Sequence, residues 1–204
     1  MRHLGRLPTL AIAALLAGCG NLLASHRAAP LVYELRAPPP VPAATHLEAA
    51  LVIARPLARP GLDSDRIAVR LADHRVESYA GSRWSAPLPD LVAALLLEAL
   101  RDSAGWQAVT PERAEFPGRY RLQPEIREFT ADYSAGPGAP TVRVVLGAEL
   151  GTVSGPRYTA SVAAQAAVAA AADRQRDVIA AFQAACDQAL KQLVTELQVA
   201  AAGH

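Results

Sequence analysis

The sequence is short of the residue types from which most recognisable chemistry is built. Only 5% of its 204 residues are aromatic, and its formal charge is +1 with acids and bases interspersed. It therefore offers neither a stacking platform nor a basic stripe for nucleic acid. Two cysteines, Cys19 and Cys186, are too few for a disulfide framework. Beyond His3 the histidines are His26, His46, His74 and His204, and none is spaced from another histidine, cysteine or carboxylate as a familiar metal site requires. Asp73-His74 reads as a solvated turn. Asp63-Ser64-Asp65 lacks the rest of a calcium loop and reads as a cap or turn. Gly151-Thr152-Val153-Ser154-Gly155 has the glycines of a nucleophile elbow at the wrong spacing, and it reads as a strand end. Ala135-Gly136-Pro137-Gly138-Ala139-Pro140 ends in proline where a phosphate loop would open a helix. The expectation is a protein that is not an enzyme and holds no cofactor or metal.

What is present is apolar bulk and an address. About half the residues, 51%, are apolar, and a chain of this length buries roughly 70% of its unfolded surface. A single domain needs no staple at that size. Arg2 and Arg6 precede an apolar run from Leu7 to Leu16, broken only by Pro8 and Thr9, and Ala17-Gly18 follow as small residues. That is the layout of an export signal. Ten helical residues reach only about 15 Å, half a bilayer, so a permanent transmembrane helix is the poorer reading.

Leu16-Ala17-Gly18-Cys19 resembles the bacterial lipobox. The resemblance implies cleavage before Cys19, an S-diacylglycerol on its thiol and an N-palmitoyl chain on its new amino group. Each buried methylene contributes roughly 0.8 kcal/mol and durable anchoring takes at least two chains, which such a group supplies. Gly20, in place of the Asp that commonly marks retention in the inner membrane, favours the periplasmic face of the outer membrane. Loss of Arg2 and Arg6 leaves 18 basic and 19 acidic residues, a formal charge of −1. The expected organisation is a signal peptide over residues 1–18, a lipid-anchored tether over 19–30 and one domain over 31–200.

Within that domain, residues 31–35 read as a short first strand and residues 37–45 as a proline-rich connector. Residues 47–54 are apolar at nearly every position, as in a central strand covered on both faces, and stop at Arg55-Pro56. Residues 66–81 read as a hairpin, with Ile67, Val69 and Leu71 on one face and a break at Asp73-His74-Arg75. A helix is expected over about 88–103, with Pro89 in its first turn, Asp90 at its positive end and Gly105 stopping it. Leu88, Leu91, Val92, Leu95 and Ala99 share its sheet-facing side. Leu97 falls opposite, so this helix is either deeply buried or carries a patch for self-association or a partner. Residues 119–170 read as a three-stranded antiparallel meander; Pro124 points to an edge strand or a bulge, and the Ala-rich third run reads as partly helical. A long amphipathic helix spans about 173–199, with Ile179, Phe182, Cys186, Leu190, Leu193 and Leu197 on its buried face. Cys186 is expected there as a small hydrophobe. The fold class is α/β: one domain with a mixed, largely antiparallel sheet packed against these two helices.

The acylated cysteine, Tyr33-Glu34-Leu35, the strand ending Ala54-Arg55-Pro56, the hairpin to Trp84 and the apolar helix up to Trp106 occur in an order that resembles the ABC-type transport auxiliary lipoprotein family. The most specific part runs from about Ile67 to Trp106; Asp73-His74-Arg75-Val76 departs from the more apolar, tyrosine-containing hairpin expected of the family. The resemblance implies a mixed α/β sheet and a role beside an ABC transporter whose substrate-binding component carries a mammalian-cell-entry (MCE) domain. The implied cargo is a phospholipid or similar hydrophobic molecule moved between inner and outer membranes. Two mechanisms fit: docking onto the MCE protein, or a groove in this domain that holds lipid. Docking is favoured, because sheet and helix packing account for most apolar positions. A homo-oligomer, a structural envelope lipoprotein and an envelope hydrolase are the remaining readings.

Overall fold

The computed structural model describes residues 29–73, 75–154 and 160–203. In chain order the elements are β1 (Leu31–Tyr33), β2 (Leu47–Ile53), β3 (Leu57–Ala58), β4 (Arg66–Arg70), β5 (Val76–Trp84), α1 (Leu88–Asp102), β6 (Trp106–Pro111), a 3-10 turn (Glu112–Ala114), β7 (Tyr120–Asp132), β8 (Thr141–Thr152), β9 (Ala160–Ala169) and α2 (Gln175–Ala202). They form the single α/β domain that the hydrophobic patterning implies, one mixed and largely antiparallel sheet with two helices.

β7 is the seam of that sheet. One of its edges pairs antiparallel with β8, which pairs antiparallel with β9. The other edge meets three parallel strands in succession: β2 beside Tyr120 to Leu122, β3 beside Glu125 and Ile126, and β4 beside Ala131 and Asp132. β6 extends the first branch in parallel, and β5 followed by β1 extends the last. The sheet therefore forks at β7.

This position corrects the expectation that Pro124 marks an edge or a bulge. β7 is interior, and Pro124 is tolerated because it faces the break between β2 and β3. The N–H of Ala54 donates to Leu122 and that of Arg59 to Ile126, so Pro124, between those two acceptors, meets the turn at Arg55-Pro56 where no ladder donor is required. The Gln123 amide closes the gap by donating to the carbonyls of Arg55 (3.1 Å) and Pro124 (3.2 Å). The bulge lies further on, between Ile126 and Glu128.

Both helices lie on one face of the sheet. α1 buries Leu88, Leu91, Val92, Leu95 and Ala99 as its periodicity requires, and Leu96 and Leu100 as well. α2 packs over β8 and β9, burying Phe182, Cys186, Leu190, Leu193 and Leu197, while Ile179 is only partly covered. β9 is strand throughout, contrary to the partly helical reading. Its Ala164 and Ala166 are buried beneath α2, and small side chains there let the helix lie close to the sheet. At the centre Trp84 meets Phe182 edge-on at 5.2 Å and Phe129 at 5.9 Å, and the two phenylalanines stack at 5.3 Å.

β2 is central, with β6 and β7 on either side, but its burial alternates. Ala49, Leu51 and Ile53 are buried and Ala50 and Val52 half-buried. The second face is covered by the segment joining β6 to β7, which crosses so closely that a Cβ on Gly118 would lie 2.6 Å from Val52 Cγ2. Gly105 serves a similar close approach. The left-handed residue after α1 is Ala104 (φ 53°), not Gly105, and a Cβ on Gly105 would sit 2.9 Å from that of Ala43.

The proline-rich segment is more than a connector. Leu35 is buried, and the Gln183 side chain of α2 pairs with the Arg36 backbone in both directions, each bond 2.9 Å. Pro38 to Val41 then cross the seam where Ala99 of α1 meets Lys191 and Val194 of α2. The segment is strapped over the helix layer.

Candidate functional site

β2 and β6 run parallel and end at the same level, Ile53 opposite Pro111. Proline stops both: Pro56 follows β2 closely and Pro111 closes β6. α1 starts beside these ends, its Leu88 N–H satisfied by the Ser64 carbonyl at 2.9 Å. The space outside the carboxyl ends of parallel strands is where open α/β sheets place ligands. Here it holds a groove of about 360 Å³, with an apolar floor that includes Ile53, Ala94, Leu97 and Pro111.

Charged side chains form its rim. Arg55 donates to Asp90 of α1 and to Asp63, each at 2.9 Å. The bond to Asp63, with that to Asp90 behind it, raises the Arg55 guanidinium above its usual range, and the same Asp63 bond holds the Asp63 carboxyl below its own. Exposed pairs of this kind are screened by solvent and add little to stability, so their effect is to fix the shape of the lip. Glu112 pairs with Arg121 at 2.6 Å. Arg113, also on the rim, has no ion-pair partner among the described residues.

Leu97 lines this groove half-exposed, and thereby answers both readings of α1: Leu96 and Leu100 are excess apolar residues used in burial, and Leu97 is one that is not. Asp63-Ser64-Asp65 is a turn, as expected, with its carboxylates on Arg55 and on Arg83 (3.2 Å). Asp73 is engaged by Arg75 in a turn. Cys186 is fully buried, and burial, with Asp187 nearby, pushes its thiol up to about 12. Cys19, His26, His74 and His204 lie outside the described residues. Among the described residues no three His, Cys, Asp or Glu side chains could hold a metal, and no helix is long and apolar enough to cross a membrane.

Two other polar groups are structural. Tyr79 and Tyr133 share a hydrogen bond of 2.6 Å between their hydroxyls, and Tyr133 donates to Asp173 at 2.6 Å. Burial holds both phenols above their usual range, reinforced at Tyr133 by the Asp173 bond, and the bonded hydroxyls latch three segments together. The depression around them is wider, about 640 Å³, and within it the two phenols and Asp173 satisfy one another.

On the sheet face away from the helices, Asp132 takes hydrogen bonds from the Ser134 N–H and Arg143, both 2.9 Å, and lies near Arg70. Burial opposes its charge, but those partners prevail and hold its carboxyl below the usual range. Because the folded state binds this proton more weakly, the stabilisation is present above the unfolded value near 3.9 and is lost as pH falls through the folded one. In urea titrations the stability gap between wild type and Asp132→Asn is expected to be widest at neutral pH and to close below about pH 4. A gap independent of pH would contradict this.

Comparison with known proteins places the architecture. A family model described as the ABC-type transport auxiliary lipoprotein component matches residues 33–194. The crystal structure of protein XCC0632 from Xanthomonas campestris, a DUF330 protein, superposes with a TM-score of 0.77 at 27% identity, covering 86% of this chain and 98% of that one. An uncharacterized protein superposes at 0.64 with 12% identity, covering 83% and 99%, and is alike in fold. Among curated proteins no match is found.

Proposed function

The chain belongs to the ABC-type transport auxiliary lipoprotein component family, and from that premise we propose that it is a non-enzymatic docking module at the outer membrane that receives an MCE-domain protein of the transporter. The cargo of that system is a phospholipid or similar hydrophobic molecule. The anchor is Cys19, carrying N-palmitoyl and S-diacylglycerol, after removal of a signal peptide over residues 1–18. A tether over residues 19–30 reaches at most about 40 Å when fully extended, so the domain stays near the membrane surface.

The groove beside α1 carries the docking reading. Its volume, about 360 Å³, is at the low end of the roughly 300–1,000 Å³ typical of small-molecule sites. It suits one or two apolar side chains of a partner better than a lipid with two chains. Its rim of paired charges plus the unpaired Arg113 suits a polypeptide with an acidic group beside its apolar anchor.

A photo-crosslinking amino acid at Ala94, an exposed groove position, tests this in intact envelopes. The expected result is recovery of an MCE-domain protein in the crosslinked product. Crosslinks to phospholipid alone would replace docking by a lipid-carrier role.

A further inference from the structure

The free edge of β9 supports an inference independent of the groove. Among the described residues β9 has a neighbour on one side only, β8, and its ten residues pair with that strand without a register shift. Exposed edges are normally blunted by charge, proline, a bulge or brevity. The other edges show such devices: β1 has three residues, and β6 ends in Pro111 with its Val109 carbonyl held by Arg101 at 2.9 Å. β9, Ala160–Ala169, contains no charged residue and no proline.

The backbone direction of this edge is fixed by two bonds. The Ala170 N–H points inward to Pro140 (2.9 Å), whereas the Gln165 N–H points outward and is met by the Gln192 side chain of α2 at 3.3 Å. Ladder groups alternate, so residues 161, 163, 165, 167 and 169 present their N–H and C=O to the open edge. The sequence there is symmetric about Gln165: Val162-Ala163-Ala164-Gln165-Ala166-Ala167-Val168 reads the same in both directions.

We propose that β9 pairs antiparallel with β9 of a second copy across a two-fold axis at Gln165. Val162 then opposes Val168 and Ala164 opposes Ala166 on the helix-covered face. On the open face Ala163 opposes Ala167 and Gln165 opposes itself, with no like charges brought together. The outward backbone groups exchange hydrogen bonds, and the Gln192 side chain is the placeholder they displace. α2 lies over β8 and β9, so strands about 4.8 Å apart bring the two copies of α2 to about 10 Å, a normal packing distance. Val199, 67% exposed and two turns beyond Gln192 on the same side, lies at that seam. The interface is isologous, as closed dimers require.

The test measures the molar mass of the full lipidated chain in detergent, corrected for the micelle. An Ala163→Lys/Ala167→Lys variant sets lysine against lysine across the axis, whereas Ala163→Lys/Ala167→Glu sets each lysine against a glutamate. All these positions are exposed, and circular dichroism confirms that each variant folds. The Lys/Lys variant and Gln165→Pro are expected at half the wild-type mass, and the Lys/Glu variant at the wild-type mass. Equal mass in all four proteins, or loss of mass in the Lys/Glu variant as well, would overturn the pairing.

Discussion

Phe182→Ala is expected to destabilise the domain by about 3–5 kcal/mol. The side chain is fully buried, edge-on to Trp84 and stacked on Phe129, so truncation removes the contacts that hold α2 to β5 and β7 together. The surrounding rings come from separate elements and cannot all collapse into the space. For a domain of this size each kcal/mol lowers the midpoint by roughly 2–4 °C, which gives a fall of roughly 6–20 °C in thermal unfolding. Phe182→Leu, which refills most of the volume, is expected to recover a large part of the loss. A change below about 1 kcal/mol for alanine would mean that the cluster is not the keystone its geometry implies.

If the groove is the docking site proposed above, Leu97→Glu is expected to weaken capture of the proposed MCE-domain partner by at least about 30-fold, the effect of losing one central apolar anchor worth about 2 kcal/mol. Leu97 lines the groove without being fully buried, so a carboxylate there reaches water and the fold survives. Leu97→Met keeps volume and apolarity and should bind nearly as well as wild type. Undiminished binding by a folded Leu97→Glu protein would move the docking site elsewhere. The same variant should retain wild-type mass in detergent, because the β9 edge lies on the far side of β7 from β2 and β6, and this separates the two interfaces experimentally.

Much of the fold is written in local periodicity. The faces of both helices, the hairpin closing at Asp73 and the meander follow from spacing alone, because amphipathic elements on a single sheet leave regular stripes. The departures arise where tertiary geometry overrides a local rule. Pro124 suggests an edge, yet it sits in an interior strand because the neighbouring chain breaks opposite it. The alanines of β9 suggest helix by propensity, yet there they are what lets α2 approach. Gly105 looks like a helix stop, yet Ala104 takes the left-handed turn and the glycine makes room for Ala43. The groove was the least legible feature. Its lining comes from three separate stretches, around Ile53, Leu97 and Pro111, and the surplus apolarity at Leu97 was the only hint in the sequence. The lipid address proposed at Cys19 is the opposite case, read from the wholly local Leu16-Ala17-Gly18-Cys19 pattern.

The fork at β7 also sets an order of events in time. Among the described residues the β2–β6 branch and the β4–β5–β1 branch share no backbone pairing with each other; each is joined only to β7. The β4–β5 hairpin can close locally, but β2 and β6 must find each other across the whole hairpin and α1, and neither branch can be zipped to the other until residue 132 is available. Such non-local pairing pays its loop-closure entropy early and folds slowly. The first six strands are thus made well before the strand that unites them, and during that interval the chain depends on whatever shields its unpaired edges.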